Sequence, residues 1–539
     1  MNRFPLGVWL FALALAAVTA LPYVAGALNA PSATLYSGAA LVPSGAAVDY
    51  NSHLAKMWQG RRGEWDYQLL FTHEAHPGLP LVQGFYTLLG ALSPFDLALT
   101  YHLARFVLTI GMVLALWVFA SHFFETPSAR WICLLLSTIS AGWSWLLLFV
   151  PGATAQVGPI EFWLIDAYNL IGALFMPHFA AAVILQIAAF LTFEAWVRSA
   201  GAAWRGLLLL TALLAAMGIV QPYIILLSLP LLLILLGYYV ISAKLLTWRR
   251  ALWLLLPLAA HTALIVYQYV AINNDAVWRS FSEQNITASP DLLYYILGYL
   301  PFIIPILIGA RTFVVDEADD RWWLPLLWVL LVAMLLYAPF PTQRRYLLGV
   351  QTPLAVLAAY GWTRAFLPRI SAGRRPLLTG VYVTLTALAP ALLIFANINA
   401  FAHPQMPATT AVYYSADELI GYEWLRGQAN PDDLVLTTFG WDGQGSGGRM
   451  VAALGQRVFM GHWIETTRFE EKIAQIASFY NPVVPDEWRL MFLQNNGARY
   501  VWYDDSARVL GGWNPADAPF LEQVFSSGSV TIYRVRLNG

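Results

Sequence analysis

Eleven apolar runs of spanning length leave this chain one main way to fold. They lie near residues 5–28, 96–122, 129–150, 171–196, 205–220, 222–242, 251–272, 292–310, 322–341, 346–367 and 377–400. Roughly 20 consecutive apolar residues carry a helix across the hydrocarbon core of a bilayer. An unpaired backbone group costs several kcal/mol in lipid, so each run must close its own hydrogen bonds as a helix. Only 11% of the 539 residues are charged, against about 25% in ordinary globular chains. The expected fold is therefore a polytopic α-helical membrane protein with about eleven transmembrane helices. The first run reads as an uncleaved span, because it is long and no small-x-small cleavage site follows it. A net charge of −1 gives no electrostatic case for nucleic acid. The lone Cys133 cannot form an internal disulfide.

Positive charge predicts the orientation. With the N-terminus inside, the inner segments hold Arg3, Arg130, Arg198, Arg205, Lys244, Arg249, Arg250, Arg311, Arg321, Arg364, Arg369, Arg374 and Arg375, thirteen in all. The outer inter-span loops hold six: Lys56, Arg61, Arg62, Arg279, Arg344 and Arg345. Short cytoplasmic loops carry such an excess. Runs five and six touch at Gln221-Pro222-Tyr223, and merging them would put Lys244, Arg249 and Arg250 outside, so they are kept separate. The expected location is the plasma (inner) membrane, with a cytoplasmic N-terminus and an extracytoplasmic tail.

Residues 1–400 then form the transmembrane domain, with a first outer loop at 29–95, and residues 401–539 form a small extracytoplasmic α/β domain. The tail alternates helix-like stretches (Ser415–Gly427, Phe469–Tyr480, Asp486–Asn496) with strand-like ones (Leu434–Phe439, Arg457–Trp463, Arg499–Tyr503, Val530–Val535). The stretch Gly440-Trp441-Asp442-Gly443-Gln444-Gly445-Ser446-Gly447-Gly448 lacks the spacing of a phosphate-cradling loop and reads as a flexible connection.

The first outer loop concentrates reactive side chains. As a helix, Val48–Trp58 puts Asp49, His53 and Lys56 on one face and Tyr50, Leu54, Met57 and Trp58 on another. That pattern predicts a short amphipathic helix on the membrane surface, with a carboxylate beside an imidazole. Its bland alternative is a surface helix whose charges are merely solvated. Downstream, His73, Glu74 and His76 are of the residue types that hold zinc or manganese. The spacing is not HExxH, and phosphate binding or loop fixing compete with a divalent metal there.

The order of these elements resembles the GT-C superfamily of integral-membrane glycosyltransferases. It is most similar to the branch with protein O-mannosyltransferases and aminoarabinose transferases. The resemblance covers residues 1–400 and rests on Asp49-Tyr50 opening the first outer loop. Pro77-Gly78-Leu79-Pro80 closes that loop, and Gln343-Arg344-Arg345-Tyr346 lies in a later outer loop. Tyr50 stands where many relatives carry a second acid. The resemblance implies an inverting glycosyltransferase that moves a sugar from a polyprenyl-phosphate donor to a lipid, glycan or protein acceptor at the outer face. Asp49 would act as general base, assisted by His53, with Asp166 in the second outer loop as a further functional acid. Arg344 and Arg345 would pair with the donor phosphate, since a guanidinium fork matches phosphate oxygens. Tyr50, Lys56, Arg279 and His178 are further substrate-binding candidates. The bland roles are headgroup anchoring for the arginines, helix capping for Asp166, and packing for His178. Arg105 is expected to snorkel outward. A transporter or flippase of lipid-linked sugars and a non-catalytic membrane scaffold are the rival functions. A transporter would show repeats and buried charges near the midplane.

Overall fold

The computed structural model describes residues 4–43, 45–153, 158–199, 204–316, 319–403, 411–441 and 443–536. Arg3 of the charge count and Asp442 of the glycine-rich stretch lie outside them. Seven helices are long and apolar enough to cross a membrane: Leu6–Leu28, Leu97–Phe123, Pro177–Arg198, Pro222–Ile241, Trp248–Asn274, Leu292–Val314 and Ala372–Ala402. The protein is a polytopic α-helical membrane protein with a small C-terminal sheet.

The other four apolar runs hold shorter helices, Pro127–Thr138, Trp204–Val220, Trp323–Leu335 and Gln351–Tyr360. Runs five and six are separate, broken at Gln221-Pro222, where proline cannot continue the preceding helix. Gln351–Tyr360 continues directly into the π-helical Gly361–Phe366, and its start is tied to the Pro127–Thr138 helix. All ten residues of Gln351–Tyr360 are buried, and Gly349 before them takes φ +88°. Gln351 donates from Nε2 to the carbonyls of Leu136 and Ser140 at 2.7 and 2.6 Å. Those carbonyls end the Pro127–Thr138 helix, so one buried amide satisfies the end of another broken segment.

The chain divides into two compact units. One comprises residues 1–20, 102–267 and 286–395; the other comprises 21–101, 268–285 and 396–539. The boundary expected at residue 400 is thus redrawn, because the first outer loop shares its core with the tail. Thr34–Tyr36 pairs antiparallel with Tyr413–Ser415. Ala55, Leu70 and Phe71 pack with Tyr422, Val435, Met450 and Trp502 in one cluster.

In this second unit a four-stranded sheet runs in the order Leu434–Leu436, Ala498–Tyr503, Val530–Val535, Leu521–Ser527; its first pair is parallel and the rest antiparallel. The three expected tail helices are present as Ala416–Gln428, Phe469–Phe479 and Asp486–Asn495. Ser415 and Glu418 form a capping box at the first. The strand expected at Arg457–Trp463 shrinks to one bridge, Val435 to Val458. The Thr466 hydroxyl takes the N–H groups of Gly461 and His462 at 3.3 Å each, which removes them from any ladder. The supposed flexible glycine stretch is also corrected: Ser446, Gly447 and Gly448 open a buried helix, Ser446–Leu454. A Cβ at Gly447 would stand 1.9 Å from the Met460 carbonyl oxygen.

The loop helix is Ala46–Arg61, and the surface-lying amphipathic arrangement expected for it does not occur. Eleven of its sixteen residues are buried, from both of its supposed faces. It crosses Gly84–Ala91 so closely that a Cβ at Gly60 would lie 1.8 Å from Thr87 O, and one at Gly90 2.0 Å from Met57 O. On another side, Trp58 Nε1 donates to Ala452 O at 2.8 Å and Arg62 forks onto the carbonyls of Leu454 and Gly455. Gly90→Ala must push the two helices apart. We expect a loss of roughly 1–3 kcal/mol, read as a lower Tm of the purified protein; an unchanged Tm would contradict the close crossing.

Candidate functional site

Burial of the loop helix leaves Asp49 as its most telling polar residue. Asp49 retains 39% side-chain exposure, and its Oδ1 faces Nε2 of His462 at 3.6 Å; His462 is 4% exposed. The backbone N–H groups of Ile464 and Glu465 each donate to His462 Nδ1 at 3.2 Å. An Nδ1 that accepts leaves the ring proton on Nε2, directed at the carboxylate. The expected partner of Asp49, His53, stacks instead on Tyr86, with ring centroids 4.0 Å apart, and lies parallel to Tyr101 at 6.3 Å. Tyr50, expected to touch substrate, is buried: its hydroxyl donates to Ser37 O at 2.9 Å and its ring meets Tyr101 edge-on.

Lys56 is likewise corrected from a substrate or lipid contact to one half of a buried ion pair. Its Nζ lies 2.6 Å from Glu465 Oε1, with both side chains 3% exposed. Ser52 and Tyr67 donate to the same carboxylate. Burial pushes Glu465 upward, but Lys56 and the hydrogen bonds outweigh it and hold the carboxyl below its usual range. Burial, and then the Glu465 charge, drives the Tyr67 phenol well above its usual range.

Of the residues proposed for metal, His73 Nδ1 lies 3.4 Å from Glu74 Oε2, while His76 is engaged elsewhere. His76 accepts the Leu69 N–H on Nε2 at 2.9 Å and directs Nδ1 at Glu74 O at 2.8 Å, so both ring nitrogens are used. His73 stacks on Phe459 at 5.2 Å; chiefly burial, with Lys472, lowers its pKa to about 4. Glu74 bonds Thr72, meets Lys472 Nζ at 2.7 Å and Arg468 at 3.0 Å. No three His, Cys, Asp or Glu side chains among the described residues are grouped to hold a metal ion. His76 and Glu74 tie the loop to its own backbone and to the tail.

Burial raises the Glu74 carboxyl, yet Lys472 and the hydrogen bonds prevail and bring it to about 2, below its ordinary 4.5. A depressed carboxyl contributes stability that is full above pH 4.5 and lost as pH falls toward 2. Thermal unfolding between pH 6 and 2.5 should therefore show a steep acid decline in the wild type. Glu74→Gln should start less stable and decline less; parallel curves would remove Glu74 as the cause.

The remaining candidates need separate placement. Arg279 donates through Nε and Nη2 to Asn273 O at 3.1 and 2.7 Å and so caps the end of the Trp248–Asn274 helix. It is a helix cap first. The neighbouring Trp278 donates to Pro77 O at 2.9 Å, which holds the Pro77–Pro80 segment in place.

In the first unit, Asp166 is buried, and Arg345 Nη1 approaches its Oδ1 at 3.5 Å. Two sequence-predicted residues are thus brought together. Tyr168 donates to Gly298 O at 2.6 Å and Tyr299 to Ala167 O at 2.9 Å, pinning the Asp166 segment to the Leu292–Asp316 helix. Glu161 lies in the same segment, bonded to the backbone N–H and hydroxyl of Ser144. Burial pushes its carboxyl upward. Arg344 sets its guanidinium over the Trp163 ring at 5.3 Å, and its backbone N–H donates to Thr287 O. Gln343 accepts the Ser289 N–H at 3.0 Å, so this turn is held on both sides. His178 packs edge-on against Phe179 at the start of Pro177–Arg198. Arg105 does not snorkel: it is 1% exposed and donates to Thr19 O at 2.9 Å inside the helices.

Sequence reasoning missed His462, Glu465 and Lys472. Each lies in the tail, and no local spacing ties it to the loop. A cue did exist: Gly461-His462-Trp463-Ile464-Glu465 puts an imidazole, an indole and an acid next to a strand-like stretch.

No family model matches the chain, and no curated protein matches it. Solved structures do. ArnT from Cupriavidus metallidurans, bound to undecaprenyl phosphate, is 12% identical with a TM-score of 0.52, over 97% of this chain and 97% of that one. The apo oligosaccharyltransferase of Archaeoglobus fulgidus is 12% identical with a TM-score of 0.51, over 92% of this chain and 69% of that one. Arabinofuranosyltransferase AftD from Mycobacteria is 15% identical with a TM-score of 0.50, over 97% of this chain but 41% of that one. The likeness is one of fold: the chain has a GT-C-like fold.

Proposed function

We propose that the protein is a membrane glycosyltransferase that moves a sugar from a polyprenyl-phosphate donor to an acceptor hydroxyl, with Asp49 as general base. The observation that carries this reading is the Asp49 carboxylate, 39% exposed on an otherwise packed helix, with its Oδ1 3.6 Å from His462 Nε2. The GT-C-like fold, shared over almost the full length of ArnT, supports it.

In the reaction the acceptor oxygen attacks the anomeric carbon and loses its proton to Asp49. The bond from that carbon to the phosphate oxygen breaks, and the configuration inverts. Polyprenyl phosphate departs carrying the new negative charge and stays in the membrane. Fixed positive charge at a departing phosphate lowers the barrier, and the family resemblance alone assigns that role to Arg344 and Arg345. His462 is a positioning residue that orients the carboxylate. Asp166 positions Arg345, to which it is paired. The site is assigned to the extracytoplasmic face, in line with the excess of arginine and lysine in the opposite segments.

The test is transfer by the full-length protein in lipid nanodiscs, given an undecaprenyl-phosphate sugar and an envelope extract from cells lacking the protein. Mass spectrometry should find one glycan or glycolipid that gains a hexose, pentose or amino sugar. If the donor is moved across vesicles but never consumed, the flippase reading replaces this one. Arg345→Gln should raise the donor KM about tenfold or more, since a hydrogen bond to a charged group contributes roughly 1.5–3 kcal/mol. An unchanged donor KM would remove the phosphate role.

A further inference from the structure

We infer that the acceptor is a neutral saccharide and that Trp441 is the platform on which its ring stacks; this rests on the reading of Asp49 as the base. Trp441 is 60% exposed and lies outside the long apolar helices. It is also held firmly. Phe439 and Phe469 meet it edge-on at 5.1 and 5.5 Å, and Trp463 lies 6.2 Å away at 43°. Phe439 and Phe469 are themselves edge-on at 4.8 Å. An indole braced from three sides by aromatic rings, with much of its surface open, is built as a surface for something to lie on.

The cluster adjoins the proposed base. Trp463 follows His462 directly, and their rings lie near parallel, 6.5 Å apart. Gly443, at φ +85°, brings the Trp441 turn against the start of the loop helix, where a Cβ would stand 3.2 Å from the Ala47 side chain, two residues before Asp49. His462 supplies an independent sign of a ligand. Its Nε2 is buried, makes no hydrogen bond within the protein, and is aimed at the Asp49 carboxylate from beyond bonding distance.

Charge selects the class of ligand. The cations around this cluster are already committed: Lys56 to Glu465, Lys472 to Glu74, and Arg468 to Glu74 and Glu471. A phosphorylated or carboxylated acceptor would meet the Asp49 carboxylate with no spare positive charge among them. A neutral sugar ring suits the arrangement better. Its face of C–H bonds carries slight positive charge and stacks on the negative face of an indole. A hydroxyl on its rim can then donate to Asp49.

The experiment uses the full-length protein in nanodiscs and saturation-transfer difference NMR with three neutral probes: mannotriose, maltotriose and chitotriose. A serine-rich octapeptide is run beside them. Ring protons of at least one trisaccharide should receive saturation. The signal should fall about tenfold in Trp441→Ala and return in Trp441→Phe, a stacking-sized effect. The exposed position of Trp441 predicts an unchanged Tm, which is measured alongside. The proposal is overturned if none of the three sugars is saturated, if Trp441→Ala behaves as wild type, or if only the peptide binds through Trp441. Asp49→Asn separates the two readings. If it binds sugar through Trp441 yet transfers normally, the base assignment falls and the platform stands. If it abolishes transfer while Trp441 has no effect on binding, the platform falls and the base stands.

Discussion

Asp49→Asn should lower transfer by about 10²–10⁴-fold, the usual contribution of a positioned general base. The amide keeps the size of the carboxylate and can still meet His462, but it cannot accept the proton of an attacking hydroxyl. Donor KM should hardly change, because the lost interaction belongs to the transition state rather than to the bound donor. Stability should also hold: a half-exposed side chain outside any buried network ordinarily shifts folding by no more than about 0.5 kcal/mol. The measurement is single-turnover transfer from an undecaprenyl-phosphate sugar, with Tm recorded on the same preparation. Transfer at the wild-type rate would end the assignment. A protein that is both inactive and unstable would show that Asp49 supports the fold.

The second large effect is on folding. Lys56→Ala should cost roughly 3–5 kcal/mol, because it strands the Glu465 carboxylate in the interior without its cation. Ser52 and Tyr67 still donate to that carboxylate, but hydrogen bonds alone do not cancel a buried charge. The double variant Lys56→Met with Glu465→Leu removes both charges and should recover most of the loss. Thermal unfolding in detergent measures all three proteins. A single variant within about 1 kcal/mol of wild type would mean that the pair is more hydrated than its 3% exposure indicates. The double variant also separates structure from function. Wild-type donor affinity in a folded double variant would confirm that Lys56 holds the helix and does not touch substrate.

What could be read from the sequence followed the range of the forces involved. Spans such as Leu97–Phe123 and Trp248–Asn274 were legible because lipid demands a continuous apolar run. The Ser415–Glu418 cap and the helices at Phe469 and Asp486 were legible because their signals are local. Gln351, a lone amide inside an apolar run, gave no such local signal, because the carbonyls it satisfies belong to another run. Asp49 stood out, but spacing assigned it the wrong neighbour. An i, i+4 relation says which side chains share a helix face, and it is silent about what the rest of the chain brings to that face. His53 met two tyrosine rings, while His462 arrived from the tail. The same blindness turned Lys56 and Tyr50 into surface residues. The near-touching glycines at 60 and 90 look in sequence like any others.

One consequence of the Thr34–Tyr36 pairing with Tyr413–Ser415 concerns parity. A strand that follows the first helix and a strand that follows the last can pair only if both emerge on the same side of the bilayer. The chain between them must therefore cross an even number of times, whatever the assignment of each short helix. Six crossings satisfy this for the seven long helices, since the first precedes the loop. Inserting one segment the wrong way, or failing to insert it, would deliver the tail to the opposite compartment. The helix at Ala46–Arg61 would then be left with Lys56 unpaired and with Trp58 and Arg62 deprived of their carbonyl acceptors. Correct insertion of every span is thus checked, at the end of synthesis, by whether the first loop finds its partner.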